Sequence, residues 1–151
     1  MINQRKIGEK FVNTCIEKIP VGHIITGLRI GRNEFDAILI KSNRKVVEKW
    51  KDIKDKEKEI INGKEIYILE FTRGGEFKDI KANFGELLKV PLLMDKYPKA
   101  EMKGFFSIHE SIEEPSYKRL VTEELKNIAD FKFKVDVIEL KDIKRKLRDL
   151  D

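Results

Sequence analysis

Residues 33–40 read NEFDAILI and residues 65–72 read EIYILEFT, and these two stretches decide the fold. Both combine β-branched and aromatic residues in short runs bounded by turn-forming residues, a pattern typical of β-strands. Because side chains alternate along a strand, one face of the first stretch is expected to carry Glu34, Asp36, Ile38 and Ile40. The matching face of the second stretch carries Ile66, Ile68, Glu70 and Thr72.

An antiparallel pairing with Asp36 opposite Glu70 makes every partner agree in polarity, since Ile38 then meets Ile68. Opposed side chains lie about 4.5–5.5 Å apart at Cβ. Two carboxylates this close repel one another and raise a pKa unless a positive charge intervenes. Mg²⁺ prefers oxygen ligands and would offset the repulsion between the two carboxylates, so the pair predicts a metal-binding site at the edge of a sheet. The alternative is two acids that end their strands in solvent.

The rest of the chain alternates helices and strands around this pair. We expect helices at 6–19, 82–97 (interrupted by Pro91), 116–129 and from 142 onward, and further strands at 23–30, 104–109 and 131–140. Residues 42–64 are dense in charge and are interpreted as a protruding, partly helical insertion. The sequence therefore predicts one α/β domain over residues 1–151, with a central mixed sheet of about five strands flanked by helices.

Composition narrows the class of protein. A hydrophobic share of 40% supports a packed core, and the lone Cys15 excludes an intrachain disulfide. No signal peptide or apolar run of about 20 residues is visible, so we expect a cytoplasmic protein without membrane contact. Charged residues make up 39% and Gln4 is the only glutamine, which favours a thermophile, although an AT-rich genome has a similar effect. The net charge of +5 permits nucleic-acid binding without requiring it.

Residues 33–40, followed after the insertion by residues 66–73, resemble the catalytic hairpin of the PD-(D/E)xK nuclease superfamily, which includes restriction-type endonucleases and archaeal Holliday-junction resolvases. The order of elements is similar as well. The resemblance implies a restriction-endonuclease-like fold and hydrolysis of phosphodiester bonds, with DNA as the favoured substrate and Mg²⁺ or Mn²⁺ as the cofactor. Many relatives dimerise to cut two strands, so it also suggests a homodimer.

The resemblance assigns the metal to Asp36 and Glu70. Two further acids would assist: Glu34, on the same strand as Asp36, and Glu9, in the first helix. Glu9 has a simpler interpretation, because an acid early in a helix favours the macrodipole. Thr72 stands where the family has a lysine that aids the attacking water. A threonine supplies no positive charge, and we expect Thr72 to position water or phosphate. Three explanations stay open: Lys89 or Lys81 substitutes for that lysine, the metal suffices alone, or catalysis has been lost.

Basic residues around the hairpin and in the insertion are candidates for phosphate contacts. They are Arg32, Arg44, Lys45, Lys49, Arg73 and Lys81. Nearby acids favour a solvated surface as the interpretation of the insertion's charges. Trp50 would either stack on a base or anchor the insertion. Two alternatives to a nuclease follow: an inactive nucleic-acid-binding module, and a protein-interaction subunit that uses the same fold.

Overall fold

The computed structural model describes residues 4–128, 132–148 and 150. It has a six-stranded mixed sheet in the order β3-β1-β2-β4-β5-β6, with helices on both faces. The strands are β1 (His23–Ile30), β2 (Asn33–Ile40), β3 (Val46–Lys49), β4 (Glu65–Phe71), β5 (Glu101–His109) and β6 (Lys134–Glu139). The helices are α1 (Gln4–Lys18), α2 (Phe77–Gly85), α3 (Val90–Lys96), α4 (Ser116–Ile128) and α5 (Ile143–Arg148). Within the described part, none of these helices is long and apolar enough to cross a membrane.

The predicted pairing of β2 with β4 is confirmed. The two strands are antiparallel, with Ile38 opposite Ile68 and Ile40 opposite Ile66. This ladder ends at the pair Ala37–Leu69, one step before Asp36 and Glu70. β4, β5 and β6 run parallel to one another, and β1 pairs antiparallel with β2 and parallel with β3. The expected α/β class and mixed sheet are therefore present.

The alternating side chains of the sheet bury two separate cores. Ile38 and Ile68 face a first core shared with Ile80 and Phe84 of α2. Leu39 and the neighbouring odd-numbered residues face a second core that contains the buried side of α1 and the inward residues of α5. Burial of each large apolar side chain stabilises the fold by about 1.5–3 kcal/mol. The two cores therefore fix helices to both faces of the sheet.

Residues 42–64, predicted as a protruding, partly helical insertion, contain an unpredicted strand as well as short helices. Val46–Lys49 forms β3, an exposed edge strand, which brings the count to six strands instead of about five. Two 3-10 helices follow at Trp50–Asp52 and Asp55–Ile61, and Ile53 and Ile61 are buried in the first core. Four residues are too few to show a strand periodicity among so many charges, which is why the pattern missed β3.

The helix expected at 82–97 is also different. It begins earlier, at Phe77, where the backbone N–H of Glu76 donates to Oδ2 of Asp79 at 3.1 Å. It then divides into α2, a 3-10 turn at Glu86–Lys89 and α3. Pro91 lies in the first turn of α3, where its missing N–H costs no hydrogen bond. The predicted helix at 116–129 ends, and the predicted strand at 131–140 begins, at residues that lie outside those described.

Candidate functional site

Asp36 and Glu70 meet at the end of the β2–β4 ladder, with a hydrogen bond between their carboxyl groups. Oδ2 of Asp36 also accepts a hydrogen bond from the backbone N–H of Phe71 at 2.9 Å. Asp36 is half-buried, whereas Glu70 is only 3% exposed. Oε1 of Glu70 is buried and has no hydrogen-bond partner among the residues that the structure describes.

The Glu70 carboxyl is held in its neutral form. Burial raises the pKa of Glu70 to about 10, and the charge of Asp36, their shared hydrogen bond and the charge of Glu86 act in the same direction. A backbone hydrogen bond from Asp36 partly opposes this shift. Without a cation, the pair therefore holds a proton between two acids at neutral pH, as expected for carboxyl groups forced together.

Strand irregularity sets the position of Asp36. The β1–β2 ladder pairs Thr26 with Ala37 and Leu28 with Phe35 but omits the pair between them, Gly27 and Asp36. Gly27 has a φ of +70°, which favours glycine. Phe35 and Ile38 contribute to the same core although they are three residues apart, so strict alternation breaks at Asp36. The register is the same on both sides of this point, so no residue is inserted and the irregularity changes only the direction of the side chains.

This break corrects the prediction that Glu34 shares a face with Asp36. The Glu34 side chain is exposed and lies beside Gly27 and Arg29, with Oε1 3.7 Å from Nε of Arg29. Glu9 is likewise not brought to the pair. It is exposed on α1, which packs against the second core, on the other face of the sheet. The described residues contain no group of three or more acidic, histidine or cysteine side chains that could hold a metal ion.

Of the two lysines expected to replace the motif lysine, the structure places Lys89 near the pair. Nζ of Lys89 donates to the backbone carbonyl of Glu34 at 3.1 Å and forms an ion pair with Glu86. Glu86 is close enough to Glu70 to raise its pKa, so Lys89 lies at the rim of the same site. Lys81 is engaged elsewhere: its Nζ lies 3.6 Å from Glu124.

Thr72 is part of a polar network that sequence reasoning missed. Its hydroxyl bonds to Oδ1 of Asn83 at 2.5 Å, and Nδ2 of Asn83 lies 2.9 Å from Oγ of Ser107. Ser107 bonds to Nε2 of His109 at 2.6 Å. Asn83, Ser107 and His109 are all buried. A signal was available, because these polar residues interrupt apolar stretches on α2 and β5, but it does not identify their partners.

The predicted nucleic-acid contacts are spread over several surfaces. Nζ of Lys45 donates to the carbonyl of Ile16 at 2.8 Å, at the end of α1. Nε of Arg73 lies 2.6 Å from Glu110, beside residues of α1 and therefore away from the Thr72 side. Arg32 and Arg44 are exposed.

Lys49 lines a cleft of about 390 Å³ at the β1–β2 end of the sheet. Its lining residues are Thr26, Gly27, Arg29, Glu34, Lys49, Trp50 and Lys51. Three cationic side chains therefore face one carboxylate in this cleft, which gives it a positive character. The β1–β2 register places Gly27, which lines the cleft, opposite Asp36, although neither carboxyl group of the pair lines the cleft itself.

Comparisons with protein-family models, with curated proteins and with solved structures found no match to this chain.

Proposed function

We propose that this chain is a divalent-cation-dependent phosphodiesterase of restriction-endonuclease-like architecture that acts on nucleic acid. The observation that carries the proposal is the carboxyl pair: a buried Glu70 with an unpartnered oxygen, directly beside Asp36. A buried carboxyl without its full set of hydrogen bonds costs stability, and such groups are concentrated at functional sites.

The pair fits a hard divalent cation. Mg²⁺ is typically held by one or two protein carboxylates, with water and substrate phosphate completing its octahedron, so two acids are sufficient. A cation would favour the ionised form of Glu70 and give Oε1 the partner it lacks. When bound, the cation would act as a Lewis acid on the phosphate and lower the pKa of a nearby water.

The residues around the pair have distinct parts in this proposal. The Phe71 N–H fixes Oδ2 of Asp36, so that carboxylate is oriented before any ligand arrives. Contacts with Glu86 and with the backbone carbonyl of Glu34 hold the positively charged Lys89 side chain at the rim of the site. It is the residue that would stabilise charge developing on the phosphate, in place of the family's motif lysine.

The positive cleft supports a nucleic-acid substrate. Arg29, Lys49 and Lys51 offer contacts to successive phosphates, and Trp50 offers an apolar wall. Because the cleft reaches Gly27, a phosphodiester chain lying in it would lead to the carboxyl of Asp36.

A binding module without turnover is the second candidate. It is favoured by Thr72, whose hydroxyl is committed to Asn83 and which carries no charge where the family has one. A chain of this kind would bind nucleic acid through the same cleft and leave the phosphodiester bond intact.

The two candidates separate in a cleavage assay with supercoiled, single-stranded and branched DNA and with RNA, in Mg²⁺, Mn²⁺ or chelator. We expect cation-dependent cleavage by the wild type, at least a hundredfold loss in Asp36→Asn and Glu70→Gln, and retained binding. Glu9→Gln is the control, because Glu9 lies on α1, on the other face of the sheet, and this variant should cleave normally. Salt-sensitive binding without cation uptake or cleavage would favour the binding module. No binding at low salt would contradict both.

A further inference from the structure

A buried chain of hydrogen bonds runs from the carboxyl site into the molecule. It links Thr72 to Asn83, Asn83 to Ser107, Ser107 to His109, and Nδ1 of His109 to the carbonyl of Gly74 at 2.6 Å. Ser107 lies next to Glu70 in the β4–β5 register, and Nδ2 of Asn83 lies 3.4 Å from the Glu70 carbonyl, so the chain passes beside Glu70.

Each hydrogen in this chain can be assigned from the two backbone carbonyls that the chain meets, those of Gly74 and Glu70, because a carbonyl can only accept. The Gly74 carbonyl only accepts, so Nδ1 of His109 carries the hydrogen. Burial lowers the pKa of His109 against smaller opposing effects from Gly74, Asp79 and Thr72, so the ring is neutral and Nε2 accepts from the Ser107 hydroxyl.

The amide of Asn83 is oriented independently. Its Nδ2 lies 3.4 Å from the backbone carbonyl of Glu70, which again can only accept. Nδ2 therefore donates to Ser107 as well, and Oδ1 is the acceptor that faces Thr72. The Thr72 hydroxyl has its single proton committed to Asn83.

We infer that Thr72 acts at this site as an obligate hydrogen-bond acceptor, which orients a water molecule beside the Asp36–Glu70 pair, and that Asn83, Ser107 and His109 are positioning residues that fix its lone pairs. The inference rests on the proposed function. A lysine has three donors and no acceptor, so Thr72 replaces the motif lysine with the opposite hydrogen-bonding character. The lone pairs of the Thr72 hydroxyl accept a hydrogen bond from water, and no hydrogen is left to donate to a phosphate oxygen.

The proton assignment has a direct spectroscopic test, because His23 and His109 are the only histidines. Imidazole ¹⁵N–¹H correlation spectra of the full chain should show His109 as the neutral Nδ1–H tautomer at pH 7. Asn83→Asp removes the donor to Ser107, which would then turn its hydroxyl towards the new carboxylate. His109 should become easier to protonate in that variant. A wild-type Nε2–H tautomer, or a charged ring at pH 7, would overturn the chain as assigned.

The role at the site is tested by Mn²⁺ calorimetry and by cleavage kinetics. Thr72→Val keeps the shape and removes the acceptor, and we expect about tenfold weaker Mn²⁺ binding or slower cleavage, the usual scale for groups that orient a metal site. Thr72→Ser keeps the acceptor and should stay within about twofold of the wild type.

The two proposals fail in different ways. If the wild type binds Mn²⁺ and cleaves, but Thr72→Val equals Thr72→Ser, the acceptor role is wrong and the proposed function stands. If the wild type neither binds Mn²⁺ nor cleaves, the proposed function and the water-orienting role both fall. The tautomer spectrum reports on the buried series of hydrogen bonds directly and requires neither metal nor substrate.

Discussion

Replacing Glu70 with glutamine should stabilise the cation-free protein at neutral and alkaline pH. The pKa of Glu70 is raised from 4.5 to about 10 in the folded chain, so folding favours the protonated acid. The stability that this group contributes is complete below pH 4.5 and is lost as the pH rises toward 10. Each pH unit in that window costs about 1.4 kcal/mol, so about 3 kcal/mol is lost between pH 4.5 and 7.

Glu70→Gln keeps the shape and the donor of the protonated acid and has no proton to lose. Its melting temperature in chelator should exceed that of the wild type by several degrees at pH 7, and by more at pH 9, since about 1 kcal/mol moves Tm by 2–4 °C in chains of this size. The two proteins should converge near pH 5. Scanning calorimetry across this range measures the difference directly.

Glu34→Gln serves as the control, because it removes an exposed carboxylate from β2, the strand that pairs with β4. Mn²⁺ should stabilise the wild type and this control while leaving Glu70→Gln unchanged. Parallel stability–pH curves for wild type and Glu70→Gln would refute the buried neutral acid.

Three further outcomes are expected. Gly75→Ala should lower Tm, because a Cβ there would clash with the backbone carbonyl oxygen of Ser111. Gly85→Ala has open space in a helix and should be neutral or stabilising, and calorimetry compares the two variants. Removing Lys49 and Lys51 together should weaken nucleic-acid binding and reduce its salt slope by about one to two, measured against removal of two exposed lysines at the opposite end of the sheet. Lys89→Met should slow cleavage at least tenfold at unchanged nucleic-acid affinity, whereas Lys89→Arg should stay partly active. Full activity in Lys89→Met would show that Lys89 has no part in the mechanism.

The sequence predicted the parts of this fold that depend on regular alternation. Matching Ile38 with Ile68 gave the β2–β4 register and, with it, the meeting of Asp36 and Glu70. Glu34 was misplaced because the same alternation was extended past Gly27. A lone glycine inside a strand indicates an irregularity, but the direction that each neighbouring side chain takes there is decided by tertiary packing.

The polar network could not be predicted for a related reason. Asn83, Ser107 and His109 come from two elements that are distant in the sequence, and each alone is an ordinary polar residue. Their buried contacts follow from how α2 docks on the sheet. β3 was missed because its valines are exposed at an edge and carry no inward periodicity.

The hydrogen bond from the Phe71 amide to Asp36 gives one side chain two duties. Beyond the last regular pair of β2 and β4, the carboxylate stands in for the carbonyl that a continuing strand would present. Alanine at this position would remove the acceptor of the Phe71 amide as well as the proposed cation ligand, so loss of activity in the Ala variant would not separate misfolding from lost chemistry. Asparagine retains the acceptor, which makes it the substitution that isolates charge from architecture.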